Sequence, residues 1–178
     1  MTPDIRPYLP CDHDAVVALV VGIQRDEFGI PITAEEQPDL LDIPRHYQQG
    51  RGNFWVARDT EEIVGTIGLL DIGQGDAALR KMFVAPSHRG APHRAGSALL
   101  ATCLDWSRRH HFTRVILGTT EQFQAAHRFY EKAGFRPILP GDLPAHFPRM
   151  RLDTRFYWIS PQEEGRAAPT DQADGATS

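Results

Sequence analysis

The sequence predicts a single mixed α/β domain in which a mostly antiparallel central sheet carries helices on both faces. Three apolar, β-branched segments follow one another between residues 53 and 84, which is typical of an antiparallel meander. The apolar spacing then changes to a helical period from Gly96 onward. A strand–loop–helix–strand unit over Ala77–Leu117 completes the pattern. The predicted element order is β-α-α-β-β-β-α-β-α-β-β.

The first fifty residues predict one edge strand and two helices. Ile5–Tyr8 is short, apolar and bounded by prolines, which suits an edge strand. Asp12 or Asp14 can cap the helix that follows, AVVALVVGIQRDEF, which has a wide apolar face and precedes a glycine and a proline. A second helix is predicted over Ile43–Gln49, with a proline in its first turn.

The rest of the chain begins with the meander and then alternates helices with strands. The meander strands are predicted over Asn53–Arg58, Glu62–Ile72 and Ala77–Val84. Later helices are predicted over Gly96–His110 and Gln124–Ala133, and later strands over Thr113–Leu117, Arg136–Leu139 and Arg151–Ile159.

Length and composition exclude several classes of protein. The 178 residues suit one domain, predicted over residues 1–160, with a disordered tail over 161–178 that has no large apolar residue. The 19 Lys and Arg against 23 Asp and Glu give a net charge of −4, which argues against nucleic-acid binding. No apolar run could span a membrane. The two cysteines predict a reducing, cytoplasmic compartment, and the histidine spacing predicts no metal site.

The segment Leu79–Leu100, LRKMFVAPSHRGAPHRAGSALL, predicts a phosphate-binding loop between a strand and a helix. Free N–H groups at a helix N-terminus carry partial positive charge and bind phosphate oxygens. Arg89, His93 and Arg94 add cationic donors, while the glycines allow close backbone approach. The alternative is an ordinary connection with solvated arginines, but three basic residues and two glycines favour the phosphate site.

The segment Thr119–Phe135, TTEQFQAAHRFYEKAGF, predicts a helix beside that loop. Ala126 and Tyr130 are four residues apart and therefore share a helix face. Tyr130 could present its hydroxyl to a ligand while Phe129 packs into the core. Taken alone, a tyrosine in this position is more often a half-buried packing residue.

The motifs MFVAPSHRG, GSALL and AAHRFYEKAGF together resemble the acyl-CoA-binding core of the GNAT family of N-acetyltransferases. The resemblance covers Leu79–Pro137 strongly and, through the strand order, extends over about Asp4–Ser160. It implies acetyl-CoA as cofactor and Tyr130 as the general acid. It assigns cofactor binding to the strand end, the phosphate loop (Arg89–Ser97) and the later helix, namely Met82, Phe83, Val84, Arg89, Gly90, His93, Arg94, Ala95, Gly96, Ser97, Ala126 and Phe129.

Two positions depart from the family pattern. The Arg-Gly loop contains two extra residues before Gly96 and lacks a clear middle glycine, so His93 or Arg94 is expected to contact phosphate directly. The asparagine that the family commonly carries seven residues before the tyrosine is Phe123 here. Thr119 or Gln124 could replace the contact that is lost.

The resemblance implies direct acetyl transfer to a primary amine, with a small molecule as the expected acceptor. A catalytically silent acetyl-CoA sensor and a protein lysine or N-terminal acetyltransferase remain alternatives. The carboxylates considered as general base are Glu27, Glu35, Asp71 and Glu121, and the sequence does not rank them. No nucleic-acid or membrane partner is expected, and both a monomer and a homodimer are compatible with the sequence.

Overall fold

A computed structural model describes residues 2–121 and 123–163. Its strands are β1 (Asp4–Pro7), β2 (Asn53–Asp59), β3 (Glu62–Gly73), β4 (Asp76–Val84), β5 (Arg114–Thr119), β6 (Arg136–Ile138) and β7 (Arg155–Ile159). Its α-helices are α1 (His13–Gly22), α2 (Pro38–Leu41), α3 (Ile43–His46), α4 (Ala95–Arg109) and α5 (Gln124–Lys132). A π-helical turn over Ile23–Glu27 extends α1.

The strands form one sheet in the order β1-β2-β3-β4-β5-β7-β6. Strands β1 to β4 are a continuous antiparallel meander, because each is joined to the next by a short connection or by the α-helical segment after β1. The pair β4–β5 is parallel, and β5–β7 and β6–β7 are antiparallel. The predicted mixed, mostly antiparallel sheet is therefore confirmed.

Strands β4 and β5 diverge after a short parallel contact. Their ladder contains only the pairs from Asp76–Ala78 to Arg114–Ile116, although both strands continue beyond it. On its other edge β4 carries a bulge, since Thr66 pairs with Phe83 and Gly68 pairs with Arg80. Two residues of β4 thus face one residue of β3, which bends the strand. The result is a gap at the carboxyl end of the parallel β4–β5 pair.

Each face of the sheet packs against its own helices, as predicted. One buried cluster joins the sheet to α4 and α5 and includes Leu69, Leu99, Cys103, Val115 and Tyr130. The other cluster joins the sheet to the first three helices. It consists of Tyr8, Val16, Val20, Leu40, Ile43, Tyr47, Phe54 and Val56. Alternation along β2, where successive side chains enter opposite clusters, produces the two layers.

Three local predictions differ from the structure. Helix α2 was not predicted; Pro38 suits its first position and Leu40 is fully buried, which holds this single turn in place. Strand β7 begins at Arg155 rather than Arg151, because Asp153 accepts a hydrogen bond from the Met150 N–H and closes a turn. Helix α3 is shorter than predicted.

The predicted tail starts with a turn. In residues 161–163, Pro161 is buried and the Gln162 side chain donates to the carbonyl of Arg108 at the end of α4, at 3.0 Å. Residues 164–178 lie outside the described residues, so the disordered tail remains a prediction there. Among the helices of the described chain, none has the length and apolar character needed to cross a membrane.

Candidate active site

The gap between β4 and β5 brings together three segments that are separate in the sequence. A Cβ placed on Gly96, in the first turn of α4, would lie 3.4 Å from the Met82 Cε atom. The same Cβ would lie 3.7 Å from Val84 Cγ2 and 3.7 Å from Phe129 Cζ. The end of β4, the start of α4 and the middle of α5 therefore meet at one point. Four of the residues predicted to bind the cofactor are neighbours there.

The N-terminus of α4 can accept an anion. Its first turn has no capping side chain and no acidic residue. Arg94, in the left-handed region at φ 50°, closes the preceding loop by donating its N–H to the Gly90 carbonyl at 2.7 Å. Arg94 and Ser97 are exposed, whereas Ala95 is fully buried and anchors the helix. Uncapped N–H groups beside an exposed guanidinium are suitable donors for phosphate oxygens.

Arg89, which the sequence predicts to contact phosphate, binds protein groups in this structure. Its Nε donates to the Val84 carbonyl at 2.9 Å, and its two terminal nitrogens bind the carboxylate of Glu27, one of them at 2.6 Å. This bidentate pair ties the π-helical turn after α1 to the end of β4. The hydrogen bond from Arg89 lowers the pKa of Glu27, although burial opposes the shift. A carboxylate held ionised in this way is a poor candidate for the general base.

The remaining predicted contacts divide between the two faces of the sheet. Ala126, like Met82 and Phe129, packs against the cluster that contains α4 and α5. Phe83 packs against the cluster of the first three helices. The ring of His93 lies 4.4 Å from that of His88, measured between centroids. The Phe83 side chain therefore packs on the opposite face of the sheet from Met82 and Phe129, and the His93 ring packs beside His88.

Tyr130 follows Phe129 on α5 and is buried against aromatic side chains. Its ring contacts Phe129 and Phe135, with each pair of centroids 5.4 Å apart. Within the described part of the chain, its hydroxyl makes no hydrogen bond. Burial raises the pKa of Tyr130, so the hydroxyl stays protonated at neutral pH. A buried hydroxyl in its neutral form is available as a hydrogen-bond or proton donor to a ligand.

A buried polar cluster lies under the bulge of β4, on the face of the first three helices. The Lys81 ammonium is 3.3 Å from Asp39 Oδ2 and donates to Gln37 Oε1 at 2.9 Å. Gln37 and Gln24 exchange two side-chain hydrogen bonds, and the Tyr47 hydroxyl donates to Asp39. Burial lowers the pKa of Lys81. Burial opposes ionisation of Asp39, but the Lys81 charge and the Tyr47 hydrogen bond outweigh it and lower the pKa of Asp39.

Asp153 lies over β5 on the same side of the sheet. A Cβ on Gly118 would come within 2.4 Å of Asp153 Oδ2, so this close approach requires glycine. The Met150 N–H donates to Oδ2 at 3.1 Å. Burial raises the pKa of Asp153, although nearby cations including Arg80 oppose the shift. The Arg80 guanidinium contacts the Met150 sulfur, which places it on the same patch. We call the patch formed by Arg80, Asp153 and the buried polar cluster (Gln24, Gln37, Asp39, Tyr47 and Lys81) the acceptor face.

An open cleft of about 390 Å³ adjoins this face at the end of β5. Its walls are Phe28, Gly29, Ile30, Pro31, Thr120, Glu121, Phe123, Leu152 and Thr154. Phe123, which replaces the family's asparagine, contacts Phe28 at 4.3 Å between ring centroids. Thr120 Oγ1 is buried and has no hydrogen-bond partner among the described residues. The cleft is largely apolar, and its polar side chains are those of Thr120, Glu121 and Thr154.

The structure separates the carboxylates considered as general base. Asp71 accepts hydrogen bonds from the Arg51 and Gly73 N–H groups and holds a turn together, away from the gap. Glu35 is exposed on the loop before α2. Glu121 lines the cleft. Asp153, which the sequence did not single out, is the carboxyl group nearest in character to a base, because its pKa is raised.

Comparison with protein families agrees with this geometry. The family model described as "Acetyltransferase (GNAT) family" matches residues 18–135. The chain is 35% identical over 104 residues to N-acetyltransferase 8 of Rattus norvegicus, and the aligned region covers 55% of this chain and 46% of that protein. It is 29% identical over 128 residues to the N-acetylaspartate synthetase of Xenopus tropicalis, which is 67% of this chain and 46% of that protein. The chain thus spans about half the length of these relatives.

Solved structures match over nearly the whole described chain. An acetyltransferase of the GNAT family from Staphylococcus aureus Mu50 superposes with a TM-score of 0.84 and 35% identity, covering 89% of this chain and 98% of the other. The PaiA N-acetyltransferase from Thermoplasma acidophilum, in complex with coenzyme A, superposes with a TM-score of 0.69 at 16% identity, covering 90% of this chain and 99% of the other. The second likeness shows the shared fold alone.

Proposed function

The chain belongs to the GNAT acetyltransferase family, and on that premise we propose that it transfers an acetyl group from acetyl-CoA to a primary amine of a small molecule. The transfer is direct, within a complex that holds both substrates. The observation that carries the proposal is the gap between β4 and β5, because Gly96 of α4 lies beside the end of β4 and Asp153 lies over Gly118 of β5. A thioester threaded through this gap can meet an amine on the far side.

The residues present fit acetyl-CoA. The pyrophosphate is bound by the uncapped N–H groups of α4 and by Arg94, which is exposed and forms no ion pair with a described residue. The backbone over Met82–Val84, on the edge of β4 that β5 leaves unpaired, would hold the pantetheine arm through strand-like hydrogen bonds. Arg89 acts indirectly, because its contacts to Glu27 and Val84 fix the end of β4.

Tyr130 supplies the proton or hydrogen bond that the leaving thiolate needs. A thiol has a pKa of about 8.5 and an unperturbed tyrosine about 10, so proton transfer from tyrosine is uphill by about 2 kcal/mol. Burial raises the pKa of Tyr130 further, and it raises that of a thiol bound in the same gap for the same reason. A backbone N–H near Val84 stabilises the oxyanion that forms at the thioester carbonyl.

Asp153 is the general base that we favour for the acceptor. An ammonium group must lose a proton before it can attack, and a carboxylate with a raised pKa accepts that proton more readily than an ordinary one. Asp153 also lies on the acceptor side of β5, over Gly118. Glu121, which lines the adjoining cleft, is the alternative base.

The charges on the acceptor face favour an amine that also carries an anionic group. Arg80 and Arg149 form no ion pair with a described residue, and the Arg149 guanidinium rests on the Phe156 ring, 5.1 Å from its centroid. A polyamine would meet these cations, whereas a carboxylate would be attracted by them. Aspartate, which the name of the frog relative implies as its acceptor, has this combination of charges.

Calorimetry and an acceptor screen test the proposal. Acetyl-CoA and CoA are expected to bind with micromolar affinity, and ATP is not. A thiol-release assay with amino acids, polyamines, an aminoglycoside and peptide N-termini should give the fastest turnover with an amino acid. Binding of acetyl-CoA without turnover of any amine would identify a sensor instead. Absence of CoA binding would refute the proposal.

A further inference from the structure

Three side chains with metal-ligating atoms meet beside the phosphate loop. Asp59 ends β2, His88 lies in the 3₁₀ turn after β4, and His93 lies in the loop. One ligand atom from each lies within 4.8 Å of the other two. All three side chains are half-buried. The acetyl transfer proposed above assigns no role to Asp59 or His88.

We propose that Asp59, His88 and His93 bind a divalent transition-metal ion, with Zn²⁺ as the best fit. Two imidazole nitrogens and one carboxylate oxygen form a donor set that Zn²⁺ accepts, with the fourth position left to water. Ligand atoms at about 2.0–2.2 Å from one tetrahedral ion lie about 3.3–3.6 Å apart. The present atoms, which are 2.7 Å apart for His88 and Asp59 and within 4.8 Å of one another overall, reach this spacing through side-chain shifts of about an ångström.

The surroundings of His88 support a ligand role. Its Nε2 atom lies 2.7 Å from Asp59 Oδ2, so the two donor atoms already face each other. Its Nδ1 atom lies 2.7 Å from the Ser87 hydroxyl, a contact that fixes the orientation of the ring. Ligating histidines commonly have such a second hydrogen bond. The ring of His93 lies beside that of His88, at 4.4 Å between centroids, and offers the third ligand atom.

The fold, rather than the sequence pattern, creates this site. Asp59 and His88 are 29 residues apart, and the turn after β2 reaches His88 only because β2, β3 and β4 are neighbours in the sheet. The proposal therefore departs from the expectation of no metal site. It also gives His93 a different role from the phosphate contact predicted for it.

A bound ion would brace the phosphate loop. His88 and His93 flank residues 89–92, so an ion shared with Asp59 ties both ends of this segment to the turn after β2. The positive charge of the ion would also favour a pyrophosphate nearby. We therefore expect Zn²⁺ to raise the affinity for CoA in the wild-type chain by several-fold.

The site is tested by titrating the chelator-treated full chain with Zn²⁺ and measuring the binding by calorimetry. One ion per chain should bind with micromolar affinity or tighter, and His88→Gln and His93→Gln should each weaken binding by at least about tenfold. His146→Gln is the matched control. His146 also pairs with a carboxylate, that of Asp76 at 3.0 Å, but among the described residues this pair belongs to no group of three ligand side chains. This variant should bind Zn²⁺ like the wild type.

Two results would overturn the inference. The metal site is refuted if the wild type binds Zn²⁺ no more tightly than the double variant His88→Gln/His93→Gln, with circular dichroism confirming that the double variant is folded. The bracing role is refuted if Zn²⁺ changes CoA affinity equally in the wild type and in His88→Gln. Neither result bears on acetyl transfer, which the thiol-release assay measures separately.

Discussion

The phosphate loop and the acceptor face are built from the chain in opposite ways. The loop is one continuous segment, and its donors are the backbone of a helix start and the guanidinium of the residue before it. The acceptor face draws side chains from the first helical region, from the bulge of β4 and from the turn before β7. We expect the loop to bind its ligand through backbone geometry, whereas the acceptor face contains a buried ion pair between Lys81 and Asp39.

This difference teaches where each region is vulnerable. Exposed donors in the loop are screened by water, so the loss of one weakens a ligand without unfolding the chain. The buried charges of Lys81 and Asp39 on the acceptor face stabilise each other, so the loss of one leaves its partner uncompensated in a region of low dielectric. Four substitutions test this contrast, and they are taken from the largest expected effect to the smallest.

Lys81→Met should produce the largest loss of stability. The Lys81 side chain is only 7% exposed and neutralises Asp39, so its removal should lower the free energy of unfolding by about 3–5 kcal/mol. Denaturant titration measures the change. Lys132→Met, on the exposed part of α5, is the control and should change stability by less than about 0.5 kcal/mol. The double variant Lys81→Met/Asp39→Asn should recover part of the loss, and no recovery would refute the coupling.

Tyr130→Phe should lower kcat by about a hundredfold or more while leaving CoA affinity almost unchanged. The substitution removes only the hydroxyl, which makes no hydrogen bond to a described residue, so stability should be retained. Steady-state kinetics and CoA calorimetry measure the two effects. Tyr157→Phe removes a hydroxyl that donates to Glu131 at 2.9 Å and is the matched control. Equal kcat losses in both variants would argue against a specific role for Tyr130.

Asp153→Asn should lower kcat by about tenfold to a hundredfold and change the pH profile. Burial raises the pKa of Asp153, so the wild-type rate should begin to fall at a higher pH than an ordinary carboxyl group, with a pKa of about 3.9, would impose. The variant should lack this acidic limb. Because the folded state binds the proton more tightly than the unfolded state, ionised Asp153 costs stability at neutral pH, and the variant should be equally or more stable.

Two comparisons sharpen this prediction. Asp142→Asn, on an exposed turn, should behave like the wild type in rate and pH profile. Glu121→Gln tests the alternative base in the cleft. If Glu121→Gln removes the acidic limb and Asp153→Asn does not, the base is Glu121.

Of the four substitutions, Arg94→Ala should have the smallest effect, a three- to tenfold loss of CoA affinity that shrinks as salt is raised. Arg94 is exposed beside the α4 N-terminus, so its contribution is a screened charge interaction. Arg89→Ala should weaken CoA less, because Arg89 is engaged with Glu27 and the Val84 carbonyl. Calorimetry at two salt concentrations measures both variants. A larger loss for Arg89→Ala would mean that Arg89 turns to the phosphates when CoA binds.

Much of the fold could be predicted from the sequence, because its signals are local. Alternation of apolar residues marked β2 to β4, and helical spacing marked α4. The single turn of α2 was missed since four residues carry no measurable period. The start of β7 was placed too early because the turn that precedes it is set by one hydrogen bond to Asp153. The predicted domain limits and site roles remain to be tested by experiment.

By itself, the sequence determined the mixed sheet, its two helical layers and the segments around Gly96 that meet in the gap, because each is encoded by neighbours in the chain. The tertiary structure alone decided which distant residues contact one another. These contacts are the Lys81–Asp39 pair, Asp153 over Gly118, and the pairing of Arg89 with Glu27. These contacts join residues far apart in the chain, and their strength depends on burial, which no local pattern encodes.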